Sequence, residues 1–173
     1  MAYMAKYGLW SRGERLLVGV SGGVDSMTLA TLLLRCKVPF DAAHCNFCLR
    51  GSESDGDEQM VRDWAARNGV RLHTVRFNTH AEASRAGESI QIAARRLRYE
   101  WFARLVAKEG YAHVAVAHNR DDTVETFFIN LIRGTGLRGL CGIPVKTDLT
   151  VRPLMFASRE RIERYAGLLQ IPY

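Results

Sequence analysis

Ser21-Gly22-Gly23-Val24-Asp25-Ser26 lies between apolar residues 16–20 and a helix-like run over residues 27–34. An apolar strand, a turn holding two glycines and a helix N-terminus together make an anion site. Glycine lets the backbone turn and lets a phosphate approach closely. The first helical N–H groups and the helix dipole then face that phosphate. Ser21 and Ser26 add hydroxyl donors, and Asp25 can cap the helix or hold a cation. The stretch therefore predicts a polyphosphate site directly after the first strand. It is not the P-loop of many ATPases and GTPases, because no Lys-Ser or Lys-Thr follows the glycines.

Outward from this stretch, strands and helices alternate. Residues 15–20 read as a central strand and 25–36 as a helix ending before Pro39. Residues 41–45 form a second strand, followed by a polar loop over 46–56. A helix over 57–68 follows from the spacing of Met60, Val61, Trp64 and Ala65, with Gly69 closing it. Residues 71–77 make a strand and 78–88 a mobile polar loop. The longest helical pattern covers 89–109 and ends at Gly110, with Ile90, Ala93, Ala94, Leu97, Trp101, Leu105 and Val106 on one side. A buried strand at 113–117, a helix at 121–133, Gly-rich turns, a short run at 151–154 and a helix at 158–169 complete the chain. The alternation predicts a parallel α/β sheet in a single domain. Ligands in such sheets sit at the carboxyl ends of the strands, where Ser21, His44 and His118 all fall.

A second constellation is His118-Asn119-Arg120-Asp121-Asp122-Thr123-Val124-Glu125-Thr126. Asp122 and Glu125, three apart, share a helical face. Hard oxygen ligands near a polyphosphate suit Mg²⁺, which keeps several waters and takes few protein ligands. The plainer account is that the aspartates cap the helix and favour its dipole. Their place at the same sheet edge as the Ser21–Ser26 turn favours the metal reading. On the long helix, Arg98 can reach a phosphate bidentately. A solvated basic face, with Arg96 and Glu100 as an i,i+4 pair, is the simpler reading of any one arginine there.

Two motifs are discounted. Gly134-Thr135-Gly136-Leu137-Arg138-Gly139 fits the glycine pattern of dinucleotide sites, but it follows a helix rather than a strand and reads as a turn. Cys45-Asn46-Phe47-Cys48 has no second C-x-x-C to complete a four-ligand set. Strand-end thiols explain it better than a metal or a sulfur shuttle.

The net charge is +6 across 173 residues, which fits a polyanionic partner such as RNA or ATP. No apolar run approaches the roughly 18–20 residues needed to span a bilayer, so no membrane association is expected. No signal peptide is visible, and 4 cysteines read as reduced thiols of a cytoplasmic protein.

The Ser21–Ser26 stretch resembles the PP-loop of the N-type ATP pyrophosphatases. Four further stretches resemble the tRNA(Ile)-lysidine synthetase family within that group. They are His44-x-Asn46-x-x-Leu49-Arg50-Gly51, Ser89-Ile90-Gln91-x-Ala93-Ala94-Arg95-Arg96-Leu97-Arg98-Tyr99, His118-x-x-x-Asp122-x-x-Glu125-Thr126 and Arg133-Gly134-x-Gly136-Leu137-Arg138-Gly139-Leu140. The combination is far more specific than any one motif. It implies a three-layer α/β/α domain of the adenine nucleotide alpha hydrolase-like type over residues 1–173. It also implies a truncated N-terminal domain without the family's C-terminal tRNA-binding region.

The resemblance further implies that ATP adenylates the C2 oxygen of the wobble cytidine in a CAU-anticodon tRNA(Ile), releasing pyrophosphate. Free L-lysine then displaces AMP. Ser21, Gly22, Gly23, Val24, Asp25 and Ser26 would bind ATP together with His44, and Asp25 and Asp122 would hold Mg²⁺. Asp25, Arg98, His118, Asp122 and Glu125 form the expected catalytic set. Arg98 and His118 would stabilise the intermediate, and Glu125 would orient the metal site or help deprotonate lysine. This chain departs from the pattern at Phe47 and Cys48, where the family has a second His and commonly Gly, and at Asn119, where it has His. Two other readings stay open: a PP-loop tRNA thiolase using Cys45 and Cys48, and a non-catalytic adenylate-binding module. A homodimer also stays open.

Overall fold

The computed structural model describes residues 1–134 and 142–173. Among these residues five strands form one parallel sheet: β1 (Leu16–Gly19), β2 (Phe40–Asn46), β3 (Leu72–Arg76), β4 (Val114–Ala115) and β5 (Thr150–Val151), in the spatial order β3-β2-β1-β4-β5. β1 is central and pairs in parallel register with β2 (Val18 with Ala42) and with β4 (Val18 with Ala115). Among the described residues seven helices join and flank them: α1 (Ala2–Lys6), α2 (Val24–Arg35), α3 (Ser52–Arg67), α4 (Thr79–Ala86), α5 (Ile90–Glu109), α6 (Arg120–Ile132) and α7 (Arg159–Leu168).

The period-2 alternation of β1 sorts its side chains into two cores. Leu16, Val18 and Val20 join the cluster made with Met27, Leu29, Ala30 and Leu33 of α2, Val61 and Trp64 of α3, and Ile162 and Ala166 of α7. Leu17 points the other way, into Trp101, Phe102 and Leu105 of α5 with Val114 and Val116. This gives the parallel sheet that the alternation predicts and the three layers that the resemblance implies. Gly19 has a packing reason to be glycine: a Cβ there would lie 3.1 Å from the Phe102 ring.

Several boundaries need correction. The polar stretch 46–56 is not all loop, because α3 starts at Ser52 with Glu53 and Asp55 in its first turn. Acidic side chains there suit the helix dipole, but they carry no apolar period. The expected mobile loop at 78–88 holds α4, capped by Asn78 Oδ1 accepting the Ala81 N–H at 3.2 Å. Thr79 and Ala83 anchor this helix as its only buried residues, too few to register as amphipathic. β4 and β5 are each shorter than read, with Leu154 lying beyond β5 in a turn. α1 escaped the sequence reading altogether. Residues 135–140 of the Gly-rich turn, and Cys141, lie outside the described residues.

Candidate active site

The turn between β1 and α2 is held by its own hydroxyls. Ser26 Oγ accepts the Ser21 N–H at 3.0 Å and donates to the Gly23 carbonyl at 3.0 Å. It also lies 3.1 Å from Ser21 Oγ, which accepts the Gly23 N–H at 3.3 Å. Gly22 takes φ +100°, a conformation side chains rarely adopt, and a Cβ there would meet Asp57 Cβ at 3.2 Å. Gly23 stands at the N-cap of α2 with no side-chain cap, so the first-turn N–H groups face outward. The backbone of the turn thus leaves N–H groups free to face an anion.

A cleft of about 510 Å³ opens at the carboxyl ends of β1, β2 and β4. Ser21, Gly23, Val24, Asp25 and Ser26 of the turn line it, together with His44, Arg98, His118 and Asp122. Gly22 lies within the turn without lining the cleft. Glu125 is placed elsewhere: it lines a second, shallower hollow with Asp121, Asp122 and Arg159. Asp122 borders both.

Burial pushes the Asp25 carboxyl above the usual range, and the nearby charge of Asp122 adds to this against the opposing charge of Arg159. Asp25 Oδ1 is buried with no hydrogen-bond partner, and Oδ2 faces Arg159 Nη1 at 3.5 Å. An orphaned carboxylate oxygen beside a second carboxylate fits a hard cation. Among the described residues no three His, Cys, Asp or Glu cluster as a metal cage. Two carboxylates without a cage suit Mg²⁺, which completes its shell from waters and substrate phosphates.

Asp122 Oδ2 accepts the Asn119 N–H at 2.8 Å while Asn119 Oδ1 accepts the Asp122 N–H at 3.1 Å, a reciprocal capping box at the start of α6. The departure Asn119 therefore serves as the helix cap. Phe47, the other departure, stacks on Phe77 with centroids 5.6 Å apart and lies under the Arg98 guanidinium at 5.1 Å. Arg98 is held against an aromatic face at the cleft wall, which leaves its N–H edges for a ligand.

Both histidines are biased towards neutrality. Burial lowers the His44 pKa, and its Nδ1 lies 2.9 Å from the Val20 carbonyl. Burial also lowers that of His118, helped by the adjacent Arg152 charge. Beneath them Asn46 donates to Glu58 at 2.9 Å, and Arg62 and Arg76 pair with the same carboxylate. Burial alone would raise the Glu58 pKa, but those hydrogen bonds and charges hold it below the ordinary range. This network ties β2 to α3 under the mouth of the cleft.

The sequence reading missed Arg152 and Arg159. Arg159 opens α7, where a cation opposes the helix dipole, and that mismatch is its signal. Arg152 follows β5 at the sheet edge. The two expected thiols differ: burial drives Cys45 up to about 12, whereas Cys48 is exposed with φ +53°.

Residues 3–173 match the PP-loop domain family. The tRNA(Ile)-lysidine synthase of Bacteroides thetaiotaomicron is 47% identical over 163 residues, covering 94% of this chain and 38% of the relative. The tRNA(Ile)-lysidine synthase of Parabacteroides distasonis is 48% identical over 160 residues, covering 92% and 36%. The chain thus spans less than two-fifths of the length of these relatives. Among solved structures, the U34-tRNA thiolase from Methanococcus maripaludis with its 4Fe-4S cluster superposes with a TM-score of 0.77 at 18% identity, over 99% of this chain and 66% of that one. At that identity the likeness shows the fold alone, a parallel sheet with a glycine-containing turn after its first strand.

Proposed function

The chain belongs to the PP-loop domain family, and from this premise we propose that it supplies the adenylating site of a tRNA(Ile)-lysidine synthase. The observation that carries the reading is one cleft. The Ser21–Ser26 turn with Asp25, Arg98, and His118 with Asp122 converge on it from three separate parts of the sequence. Identity of 47–48% along nearly the whole chain to relatives of that name supports the choice of reaction within the family.

The outward N–H groups of the 21–26 turn bind the β- and γ-phosphates of ATP and release them as pyrophosphate. Asp25 and Asp122 would hold Mg²⁺, which when bound neutralises phosphate charge. The C2 oxygen of the wobble cytidine in a CAU-anticodon tRNA(Ile) attacks the α-phosphorus as the bond to pyrophosphate breaks. Arg98 meets the negative charge on the transferred phosphoryl, and His118 supports the adenylated base. The L-lysine amine then forms the C–N bond at C2 and AMP departs. The neighbouring hollow sets Asp121, Asp122 and Glu125 against Arg120 and Arg159; in this reading its carboxylates take the ammonium groups of lysine, and Glu125 accepts the proton the nucleophilic amine must lose.

The thiolase alternative needs a reactive thiolate at Cys45. Burial opposes it by holding that thiol protonated up to about 12. The deciding experiment gives the full-length protein ATP, tRNA(Ile) and labelled lysine and follows label in tRNA with AMP and pyrophosphate release. Lysine-dependent AMP release supports the ligase. Nucleotide binding without turnover, or sulfur incorporation, refutes it.

A further inference from the structure

His118 and His44 face the same cleft, but their hydrogen-bond partners are of opposite kinds. Arginine has donors only and stays charged, so whatever accepts from it must offer a lone pair. Arg152 Nε–H donates to His118 Nδ1 at 3.0 Å. His118 Nδ1 is therefore unprotonated, and the ring proton of the neutral imidazole sits on Nε2. For His44 the partner is the Val20 carbonyl, which only accepts. Its Nδ1, 2.9 Å away, must carry the proton. That leaves His44 Nε2 as a bare acceptor, and this atom is enclosed with no partner in a residue 2% exposed.

Arg152 is well placed to impose such a choice. It is 5% exposed, and Nη1 donates to the Pro144 carbonyl at 2.7 Å. Its own N–H is fixed to the Val145 carbonyl at 2.9 Å. Among the described residues it forms no ion pair with any carboxylate, whereas Arg15, Arg50, Arg62, Arg71, Arg76 and Arg159 all do. The Tyr99 side chain also approaches it, but a buried guanidinium without a counter-ion costs stability, so its place beside His118 calls for a purpose. It does not line the cleft, and so acts through His118.

We propose that Arg152 is a positioning residue that locks His118 as an Nε2–H donor towards the cleft, while the Val20 carbonyl locks His44 as an Nε2 acceptor. The site then offers a fixed pair of opposite polarity. His118 takes a substrate oxygen, of a phosphoryl or base carbonyl, and His44 takes a hydroxyl or amino hydrogen. What the two atoms meet rests on the adenylation reading, but the tautomers themselves do not.

The test is long-range ¹H–¹⁵N correlation on the ¹⁵N-histidine-labelled 173-residue chain, without ligand, above pH 7. The expected spectrum gives His118 a pyridine-type Nδ1 and a pyrrole-type Nε2, with His44 reversed. Arg152→Gln keeps an N–H donor without the charge and should preserve the His118 pattern. Arg152→Met removes both, and should replace it by exchange-averaged shifts of mixed tautomers. A wild-type His118 protonated on Nδ1, or an Arg152→Met spectrum unchanged at His118, overturns the proposal. Should Arg152→Met fail to fold, the wild-type and Arg152→Gln spectra still decide it. A failed lysine assay with a normal spectrum would sink the ligase reading and leave this one standing.

Discussion

Gly22→Ala probes whether the phosphate turn depends on its backbone shape. Gly22 sits at φ +100°, and the added Cβ would lie 3.2 Å from Asp57 Cβ and 3.4 Å from both Asp57 Cγ and Met60 Cε. Asp57 cannot swing aside freely, because Cβ is fixed to the α3 backbone and its carboxylate is held by Arg50 at 2.6 Å. A residue forced into a sparsely populated φ region costs about 1–3 kcal/mol. The chain can meet that cost in two ways. If the turn keeps its shape, the loss falls on stability and lowers Tm by about 2–4 °C per kcal/mol. If the turn relaxes, stability is spared and ATP affinity falls by about 5- to 150-fold. Calorimetric titration with Mg²⁺–ATP and thermal unfolding by circular dichroism measure both. Gly69→Ala is the control: φ is +64°, nothing lies within 4 Å of the added Cβ, and the site is remote from the cleft. It should lower Tm and leave ATP affinity alone. Gly22→Ala with neither Tm nor affinity changed refutes the claim that this turn is shaped by its glycine.

Asp25→Asn should abolish pyrophosphate release from the full-length protein while raising the Tm of the ligand-free chain at neutral pH. The folded-state pKa of Asp25 is raised by burial, so ionising it opposes folding. The gain should therefore vanish as pH falls below the ordinary carboxylate range, where the wild type is also neutral; an Asn variant less stable at pH 7 contradicts this. Glu58→Gln should cost about 1–3 kcal/mol, less than the 3–5 of a fully buried pair, since both arginine partners are about half exposed. The Glu58 pKa is lowered on folding, so the wild-type advantage holds above the ordinary Glu range and is lost in acid; urea denaturation at pH 7 and pH 3 reads it, and an equal gap at both pH values counts against the network. Iodoacetamide at pH 8 should alkylate the exposed Cys36 and Cys48 and spare Cys45, with mass spectrometry locating the label. Rapid modification of Cys45 would revive the sulfur chemistry.

Much of this was legible before any coordinates. The strand–turn–helix over residues 16–35 was plain because β1 is wholly apolar and the glycines mark the turn. The second helix pattern, 57–68, was legible only from Met60 onwards, where apolar spacing begins; its first turn is written in charges. The cleft residues Asp25, His44, His118 and Asp122 were named because each sits near a strand end or helix start, and Arg98, in the middle of α5, from the basic run around it. Glu125 was grouped with them by its i,i+3 spacing from Asp122, but spacing along a helix does not say which of two neighbouring hollows a side chain borders. Arg152 was hidden for a different reason. Its meaning lies in a hydrogen bond to a residue 34 positions away, and in the carboxylate it lacks, neither of which leaves a local pattern.

Asp122 shows why a structural and a catalytic reading of one residue need not compete. Seen from the sequence, an aspartate at a helix start is either a cap or a ligand. Here one oxygen, Oδ2, takes the Asn119 N–H and closes the capping box. That bond fixes the carboxylate group, and a carboxylate has lone pairs to spare on both oxygens. The cap thus aims the group at the cleft, beside the unpartnered Oδ1 of Asp25, without using up its capacity to bind. Ser26 differs, because its single O–H is already donated to the Gly23 carbonyl and braces the turn. A variant that keeps the cap and removes the charge separates the two roles. Asp122→Asn should retain the Asn119 N–H bond and therefore the helix, with Tm within a few degrees of wild type. Yet it should lose the second carboxylate, and with it Mg²⁺-dependent turnover in the full-length protein. Wild-type Mg²⁺-dependent turnover by the folded variant would show that the cap is all that Asp122 provides.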